Sequence, residues 1–165
     1  MHRQITTFML GNTRIGMDIL LIREVYRHMS VTPVPDSPLH LNGLMNLRGR
    51  VVTVIDLNVC LSRPATEDIE SNRLLVMKTD KEIEKYKSEG LLKDVSMGDD
   101  MVGFLIDRMD DVVSIEDSEI FPAPSHLDEV EEALIEGVIK QGDELIILLD
   151  VTALLEKVME ACGSA

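Results

Sequence analysis

The sequence predicts a mainly β protein, built as two small β-barrels packed side by side with one helix at the C-terminal end. Many short apolar segments are separated by glycine, proline and asparagine turns, which is typical of all-β domains. The same strand-turn-strand plan also occurs twice along the chain. With 165 residues, 45% of them hydrophobic, the chain can bury the core of one ordinary domain or of two small subdomains.

The duplication consists of matches that occur in the same order in both halves. In each copy 13 residues separate a glycine from an aspartate (56 − 43 and 150 − 137). The matched features are Gly43 with Gly137, Asp56 with Asp150, segment 16–25 with segment 103–112, and Pro33 and Pro35 with Pro122 and Pro124. Three ordered matches are hard to attribute to chance, so we predict two structurally equivalent halves.

The first half contains the stretch around which the prediction is organised. Gly43 and Gly49 bound a turn that displays Arg48, because glycine tolerates positive φ and close backbone approach. The β-branched run Val51–Leu57 predicts a strand buried on much of both faces, and Asp56 ends it. The preceding elements are predicted as strands at 4–10 and 14–17, a helical turn at 18–22, a strand at about 23–31 and a proline break at 32–38.

The second half repeats this plan after a polar linker at 62–72. Its predicted elements are strands at 73–78, 101–106, 110–115 and 145–149, a proline break at 121–124, and a helix at 151–159 capped by Asp150. The charged segment 79–100 can form a short amphipathic helix inserted into a hairpin. We therefore predict a single domain over 1–165, with subdomains at about 14–72 and 73–150 that the N-terminal strand and the C-terminal helix complete.

Charge and composition limit the partners. The net charge of −14 argues against nucleic acid, because binding phosphates normally needs clustered lysine and arginine. Residues 99–136 carry 13 acids and one base, whereas residues 43–63 carry a net charge of +2. Either acidic loops keep the protein soluble, or the basic turn docks on an acidic partner.

Other features predict a cytoplasmic protein that does not insert into a membrane. No apolar run approaches the roughly 20 residues that span a bilayer, and residues 1–15 do not resemble a secretory signal. Cys60 and Cys162 give neither a disulfide framework nor a CxxC pair.

The chain offers no recognisable catalytic motif. Its four histidines (His2, His28, His40 and His126) are scattered, and neither a phosphate-binding glycine loop nor a GxSxG motif occurs. Asp107, Asp110 and Asp111 could be considered as acid/base groups, but acids at strand ends and turns are usually solvated. We therefore predict no catalytic, metal or cofactor site.

Several motifs occur in an order that suggests a family. The GxxNLRG motif of residues 43–49 is followed by a Val/Ile-rich run to Asp56-Leu57, and the second half adds VGFLID at 102–107 and the prolines at 122 and 124. Together with segments 8–11 and 15–19, these motifs strongly resemble those of the CheW-like domain of bacterial chemotaxis coupling proteins, and the resemblance covers nearly the whole chain. The second copy has KQGD at 140–143 in place of the NLRG of the first, as is usual for the second half in this family, so the two copies are not interchangeable. Segment 79–100 is longer than the resemblance implies.

This resemblance implies two five-stranded SH3-like barrels that share a hydrophobic interface. It also implies a non-enzymatic scaffold that couples methyl-accepting chemoreceptors to the regulatory domain of the histidine kinase CheA, without a cofactor. Receptors would then recruit this cytoplasmic protein to the inner face of the membrane. The partner-binding positions implied by the resemblance are Ile22, Glu24, Val25, Gly43, Asn46 and Arg48.

Several alternatives remain open at this stage. Gly43 and Val25 have either a purely structural role or a contact role. Arg48 either forms a salt bridge, to Glu24 or Asp56, or contacts a partner directly. The pathway could control pili or gene expression rather than chemotaxis, and a more distant alternative is a metal-dependent hydrolase that uses the acidic segment 99–119.

Overall fold

A computed structural model describes residues 2–27, 30–92, 94–123 and 132–163. In chain order the strands are β1 (His2–Leu10), β2 (Thr13–Asp18), β3 (Ile22–Tyr26), β4 (Val31–Thr32), β5 (Leu41–Leu47), β6 (Arg50–Asp56), β7 (Arg73–Met77), β8 (Val102–Ile106), β9 (Arg108–Glu116), β10 (Ile120–Phe121), β11 (Ile135–Gln141) and β12 (Glu144–Leu149). The helices are α1 (Leu57–Cys60), α2 (Asp80–Ser88) and α3 (Val151–Gly163), with 3₁₀ turns at Ile19–Leu21, Asp117–Glu119 and Glu132–Leu134.

The strands form two sheets with equivalent strand order. The first sheet runs β4-β5-β6-β8-β7-β3 and the second runs β10-β11-β12-β2-β1-β9. The described part of each sheet has five longer strands and one strand of two residues, which is one short strand more than the resemblance implies. The mainly β fold and the closing helix agree with the prediction.

The predicted duplication extends to the pairing register. Each sheet contains one parallel pair, in which Val54 lies opposite Gly103 and Leu148 lies opposite Gly16. When the two halves are aligned, Val54 corresponds to Leu148 and Gly16 corresponds to Gly103. The bulges correspond as well, because the register shifts just before Gly43 in β5 and just before Gly137 in β11. Two copies of one plan therefore fold into two similar sheets.

The sheets do not follow the predicted boundary at residue 72. The hairpin β7–β8 belongs to the first sheet, while β1 and β2 belong to the second. Each half therefore contributes its first hairpin to the sheet of the other half. The reason is strand pairing. β8 lies parallel to β6 and β2 lies parallel to β12, so each hairpin covers a strand edge that the other half of the chain leaves unpaired.

Each sheet has its own core, and a larger shared core joins the two sheets. The core of the first sheet contains Met45, Leu47, Val52, Val54, Leu74, Val76, Met101 and Leu105; that of the second contains Ile5, Ile115, Ile139, Ile146 and Leu148. The shared core includes Phe8, Ile15, Ile55, Leu75, Met77, Phe104, Leu149 and Leu154. Successive side chains of a central strand point to opposite faces of the sheet, so they pack in turn into the core of that sheet and into the shared core.

The structure confirms the prediction that β6 is buried on much of both faces, except at its start. Val54, Ile55 and Asp56 are buried, but Val51 at the start of the strand is 65% exposed. The reason is that β8 covers β6 only from Thr53 to Asp56, so the start of the strand extends into the hairpin tip. The second proline break reaches Pro124, which lies outside the described residues, as do His28 and His126.

Candidate protein-binding surface

The structure brings the tip of the β5–β6 hairpin against β3. The Arg48 guanidinium donates hydrogen bonds to both carboxylate oxygens of Glu24, at 3.3 and 3.1 Å. Its Cζ atom also lies 5.6 Å from the centroid of the Tyr26 ring, within the range of a cation–π contact. Because β3 is four positions from β5 in the strand order, this contact requires the first sheet to curl back on itself.

The backbone of the turn fixes the direction of Arg48. Its φ is +51°, an uncommon value for a residue with a side chain, and Gly49 follows at +83°. Asn46 supports this turn, since its Oδ1 accepts a hydrogen bond from the Gly49 amide at 2.9 Å. Asn46 is exposed, and its side chain also stabilises the turn conformation that presents Arg48.

Of the two salt bridges considered for Arg48, the structure contains the one to Glu24. Asp56 is occupied elsewhere: its carboxylate accepts hydrogen bonds from the Asn58 amide and from the amide and hydroxyl groups of Thr66. The Arg48 side chain remains 65% exposed, and its hydrogen bonds with Glu24 raise the pKa of its guanidinium above the ordinary arginine value. The guanidinium is therefore a fixed positive charge that solvent or a partner can reach.

The remaining predicted residues divide between exposed and structural positions. Val25 is 41% exposed, whereas Ile22 is half-buried and packs against the shared core. Gly43 is buried, and a Cβ placed on it would lie 2.4 Å from the Thr32 carbonyl oxygen. Val25 therefore reaches the surface, whereas Ile22 and Gly43 shape the sheet beneath it.

The sequence interpretation missed the apolar residues on the outer face of the β5–β6 hairpin. Leu44 is 38% exposed and Val51 is 65% exposed, and Val51 lies directly opposite Asn46. Tyr26, which contacts Arg48, was also missed. The alternation of exposed and buried residues along β5 was the available signal, since Leu44 and Asn46 fall on the same outer face. We refer to Glu24, Val25, Tyr26, Leu44, Asn46, Arg48 and Val51 as the hairpin surface.

A partly buried polar network connects the two sheets near the C-terminal end of β6. Asn58 donates from its amide nitrogen to Thr66 and to Asp107, at 2.7 and 3.1 Å. Asp107 also accepts from the backbone amide of Gly11, in the β1–β2 turn. Arg63 donates to the Asn58 side chain and to the carbonyl oxygen of Leu10. The network therefore holds the first sheet against the hairpin of the second.

The acids considered as catalytic groups have structural partners. Asp110 accepts from Thr7 at 3.1 Å and pairs with Arg14 at 2.8 Å, and Asp111 exchanges hydrogen bonds with Thr7 through its backbone. In the part of the chain that the structure describes, no three His, Cys, Asp or Glu side chains are grouped so that they could hold a metal ion. Asp107, Asp110 and Asp111 therefore make structural contacts within the protein.

A cleft of about 530 Å³ lies beside the Ile19–Leu21 turn. Two carboxylates converge there on Arg3, which donates to Asp18 at 3.2 Å and to Glu136 at 2.7 Å. Burial raises the pKa of Asp18, and hydrogen bonds from the Leu20 amide and from Arg3 oppose this rise. The carboxylates are thus partnered within the protein.

None of the helices in the described ranges is long and apolar enough to cross a membrane.

The protein is a duplicated double-barrel domain with SH3-like subdomains. This class is defined by two sheets of equivalent strand order, by the exchange of one hairpin between them and by a core that the two sheets share.

Comparison with known proteins identifies the family. The profile described as "CheW-like domain" matches residues 4–159, and the chain therefore belongs to the CheW-like domain family. Chemotaxis protein CheW of Klebsiella aerogenes is 28% identical over 148 residues, which are 90% of this chain and 78% of that relative. Chemotaxis protein CheW of Helicobacter pylori is 29% identical over 154 residues, which are 93% of this chain and 82% of that relative.

A solved structure is similar as well. The crystal structure of scaffolding protein TtCheW from Thermoanaerobacter tengcongensis superposes with a TM-score of 0.75 at 25% sequence identity. The match covers 93% of this chain and 88% of that chain. The similarity thus extends over almost the whole double-barrel domain.

Proposed function

We propose that this protein is a non-enzymatic scaffold that couples chemoreceptors to the regulatory domain of the histidine kinase CheA. The observation that carries the proposal is the hairpin surface, where a fixed cation lies at the tip of a hairpin whose outer face carries the exposed amide of Asn46 and the exposed aliphatic side chains of Leu44 and Val51. Family membership supports it, because relatives over 90% of the chain are named chemotaxis protein CheW.

The hairpin surface has the composition of a protein interface. Apolar side chains lie next to an arginine that both pairs with a carboxylate and contacts an aromatic ring. Arginine and aromatic residues are enriched among the residues that dominate binding energy, and exposed aliphatic groups supply apolar contact area. Glu24, Val25, Asn46 and Arg48 are the proposed contact residues, while Gly43 and Ile22 support them from below.

In this proposal the signal passes as a change in docking geometry, without covalent chemistry in this chain. The partly buried network of Asn58, Arg63 and Asp107 joins the first sheet to the β1–β2 hairpin of the second sheet. A scaffold that engages two partners needs such rigidity, because the position of one partner then constrains the position of the other. Receptors would recruit the protein to the cytoplasmic face of the membrane.

Exchanging the charges at Arg48 and Glu24 tests this proposal. Arg48→Glu should leave the thermal unfolding midpoint nearly unchanged, because the salt bridge is exposed and such bridges contribute little to stability. The same variant should raise the Kd for a receptor cytoplasmic fragment or for the kinase regulatory domain by about tenfold or more. Isothermal titration calorimetry with each partner measures this effect.

The double variant Arg48→Glu with Glu24→Arg separates the two roles of Arg48. If the salt bridge only stiffens the sheet, the exchanged pair restores binding; if Arg48 contacts a partner, binding stays weak. Wild-type affinity for both partners in Arg48→Glu would contradict the proposed contact. A wild-type protein that binds neither partner would contradict the proposed function itself.

A further inference from the structure

The segment between β7 and β8 has no role in the function proposed above, yet it is a fixed part of the fold. Thr79 and Glu82 form a capping box at the start of α2, and the Asp80 carboxylate accepts hydrogen bonds from the amides of Met97 and Gly98. Ile83, at 0% exposure, belongs to the shared core together with Met97. The outer face of α2 therefore has a defined position on the molecule.

This outer face adjoins the strand that carries the proposed contact residues. Met77 pairs with Ile22 in the sheet, and the next residue, Lys78, donates its amide to the Leu21 carbonyl at 2.9 Å. On the other side of the segment, Glu82 lies 3.6 Å from Arg23. The segment and β3 thus form a continuous surface.

Two lysines and one tyrosine make a positively charged cluster on this surface. The ammonium groups of Lys78 and Lys85 lie 4.6 and 4.9 Å from the centroid of the Tyr86 ring, and Lys78 donates to the Tyr86 hydroxyl at 3.2 Å. This hydrogen bond and the lysine charges lower the pKa of Tyr86 below its usual 10.0. We refer to Lys78, Lys85 and Tyr86 as the Lys–Tyr–Lys cluster.

Nearby acids do not neutralise the cluster. Asp80 is engaged by backbone amides, and Glu82 is engaged by Thr79 and Arg23. Glu84 is exposed, but residues two apart lie about 200° around a helix, which places it on the opposite side from Tyr86. Glu89 is exposed and lies four residues after Lys85, but neither Lys78 nor Lys85 forms a salt bridge within the described ranges. The exposed Lys85 and the half-buried Lys78, which also donates to Tyr86, can therefore both attract an external anionic group.

We propose that the Lys–Tyr–Lys cluster is an additional docking point for a carboxylate-bearing segment of a partner protein, and that it extends the surface formed by β3. This inference rests on the proposed scaffold function. Charge complementarity supports the choice of an acidic partner. Because the chain as a whole carries a net charge of −14, an acidic protein would be repelled elsewhere, and the cluster would therefore orient the complex.

A double charge reversal tests the inference. Lys78→Glu with Lys85→Glu should raise the Kd for one of the two partners, a receptor cytoplasmic fragment or the kinase regulatory domain. Exposed ion pairs change affinity by up to about fivefold each, so we expect a 10- to 30-fold increase at low salt. The difference should shrink at about 1 M salt, where the screening length falls to about 3 Å.

Lys140→Glu is the matched control, because Lys140 also lies over an aromatic ring, 5.2 Å from the centroid of Phe121 in the second sheet. The single variant Lys85→Glu changes only an exposed residue, and it should raise the Kd by about fivefold with an unchanged circular dichroism spectrum. The inference is overturned if wild-type protein binds both partners and the reversed variants bind them as tightly as Lys140→Glu. Absence of binding by wild-type protein would refute the proposed function as well.

Discussion

Gly43→Ala provides the sharpest test of how the first sheet is packed. Gly43 has a φ of +155°, and an added Cβ would lie 2.4 Å from the Thr32 carbonyl oxygen and 2.6 Å from Cγ1 of Val31. The first of these neighbours is backbone, so it cannot move without displacing β4. We therefore expect the methyl group to destabilise the fold rather than to act on a partner.

Two terms set the size of the effect. A side chain in this backbone region costs about 1–3 kcal/mol, and forcing a methyl group into a packed site costs about 1–3 kcal/mol more. For a chain of this length, 1 kcal/mol corresponds to about 2–4 °C in the thermal midpoint. Gly43→Ala should therefore cost about 2–6 kcal/mol and lower the midpoint by about 4 to 24 °C.

Two other glycines provide the controls for differential scanning calorimetry. Gly142 has a φ of +61° with no atom within 4 Å of an added Cβ, so Gly142→Ala carries only the backbone cost of about 1–2 kcal/mol. Gly137 is the equivalent of Gly43 in the second sheet, where an added Cβ would lie 2.4 Å from Ile120 and 2.8 Å from the Phe121 carbonyl oxygen. Gly137→Ala should therefore also be more damaging than Gly142→Ala.

The reasoning is refuted if Gly43→Ala unfolds at or above the midpoint of Gly142→Ala. In that case the close approach of β4 would not determine the identity of residue 43. Partner binding by the folded fraction of Gly43→Ala, measured well below its midpoint, then shows whether Gly43 also belongs to the contact surface.

Two further predictions concern buried carboxylates. Asp56→Ala removes the acceptor for three hydrogen bonds from Asn58 and Thr66. It should lower the free energy of unfolding, measured by urea titration, by about 2–4 kcal/mol. A loss below about 0.5 kcal/mol would contradict this role of Asp56. Burial raises the pKa of Asp18 above its usual 3.8, so the folded protein binds more protons than the unfolded chain between these two pKa values. The contribution of Asp18 to stability is therefore present below pH 3.8 and is lost as the pH rises through its folded pKa. Asp18→Asn should lack this pH-dependent loss in a series of urea titrations that starts below pH 3.8 and ends at neutral pH, and identical pH profiles of the two proteins would exclude it.

Local patterns in the sequence predicted most elements and part of the surface. The glycine-bounded turn at 43–49 and the aspartate at the end of each β-branched run identified both copies of the plan, because these residues encode turns and helix caps over a few positions. The display of Arg48 on that turn was predicted for the same reason, whereas Asn46 was proposed as a contact residue only through the resemblance to the CheW-like domain. Tyr26 and Val51 were missed, because their exposure depends on where neighbouring strands end.

The amino-acid sequence by itself determined the two copies, their strands and turns, and the residues that each turn displays. All of these follow from interactions between residues close together in the chain. Only the tertiary structure decided that each half contributes its first hairpin to the other sheet, that Glu24 rather than Asp56 pairs with Arg48, and that α2 lies beside β3. The physical reason is that these arrangements depend on pairing between strands that are far apart in the sequence. The hydrophobic pattern of a strand shows which of its faces is buried, but it does not show which distant strand lies beside it.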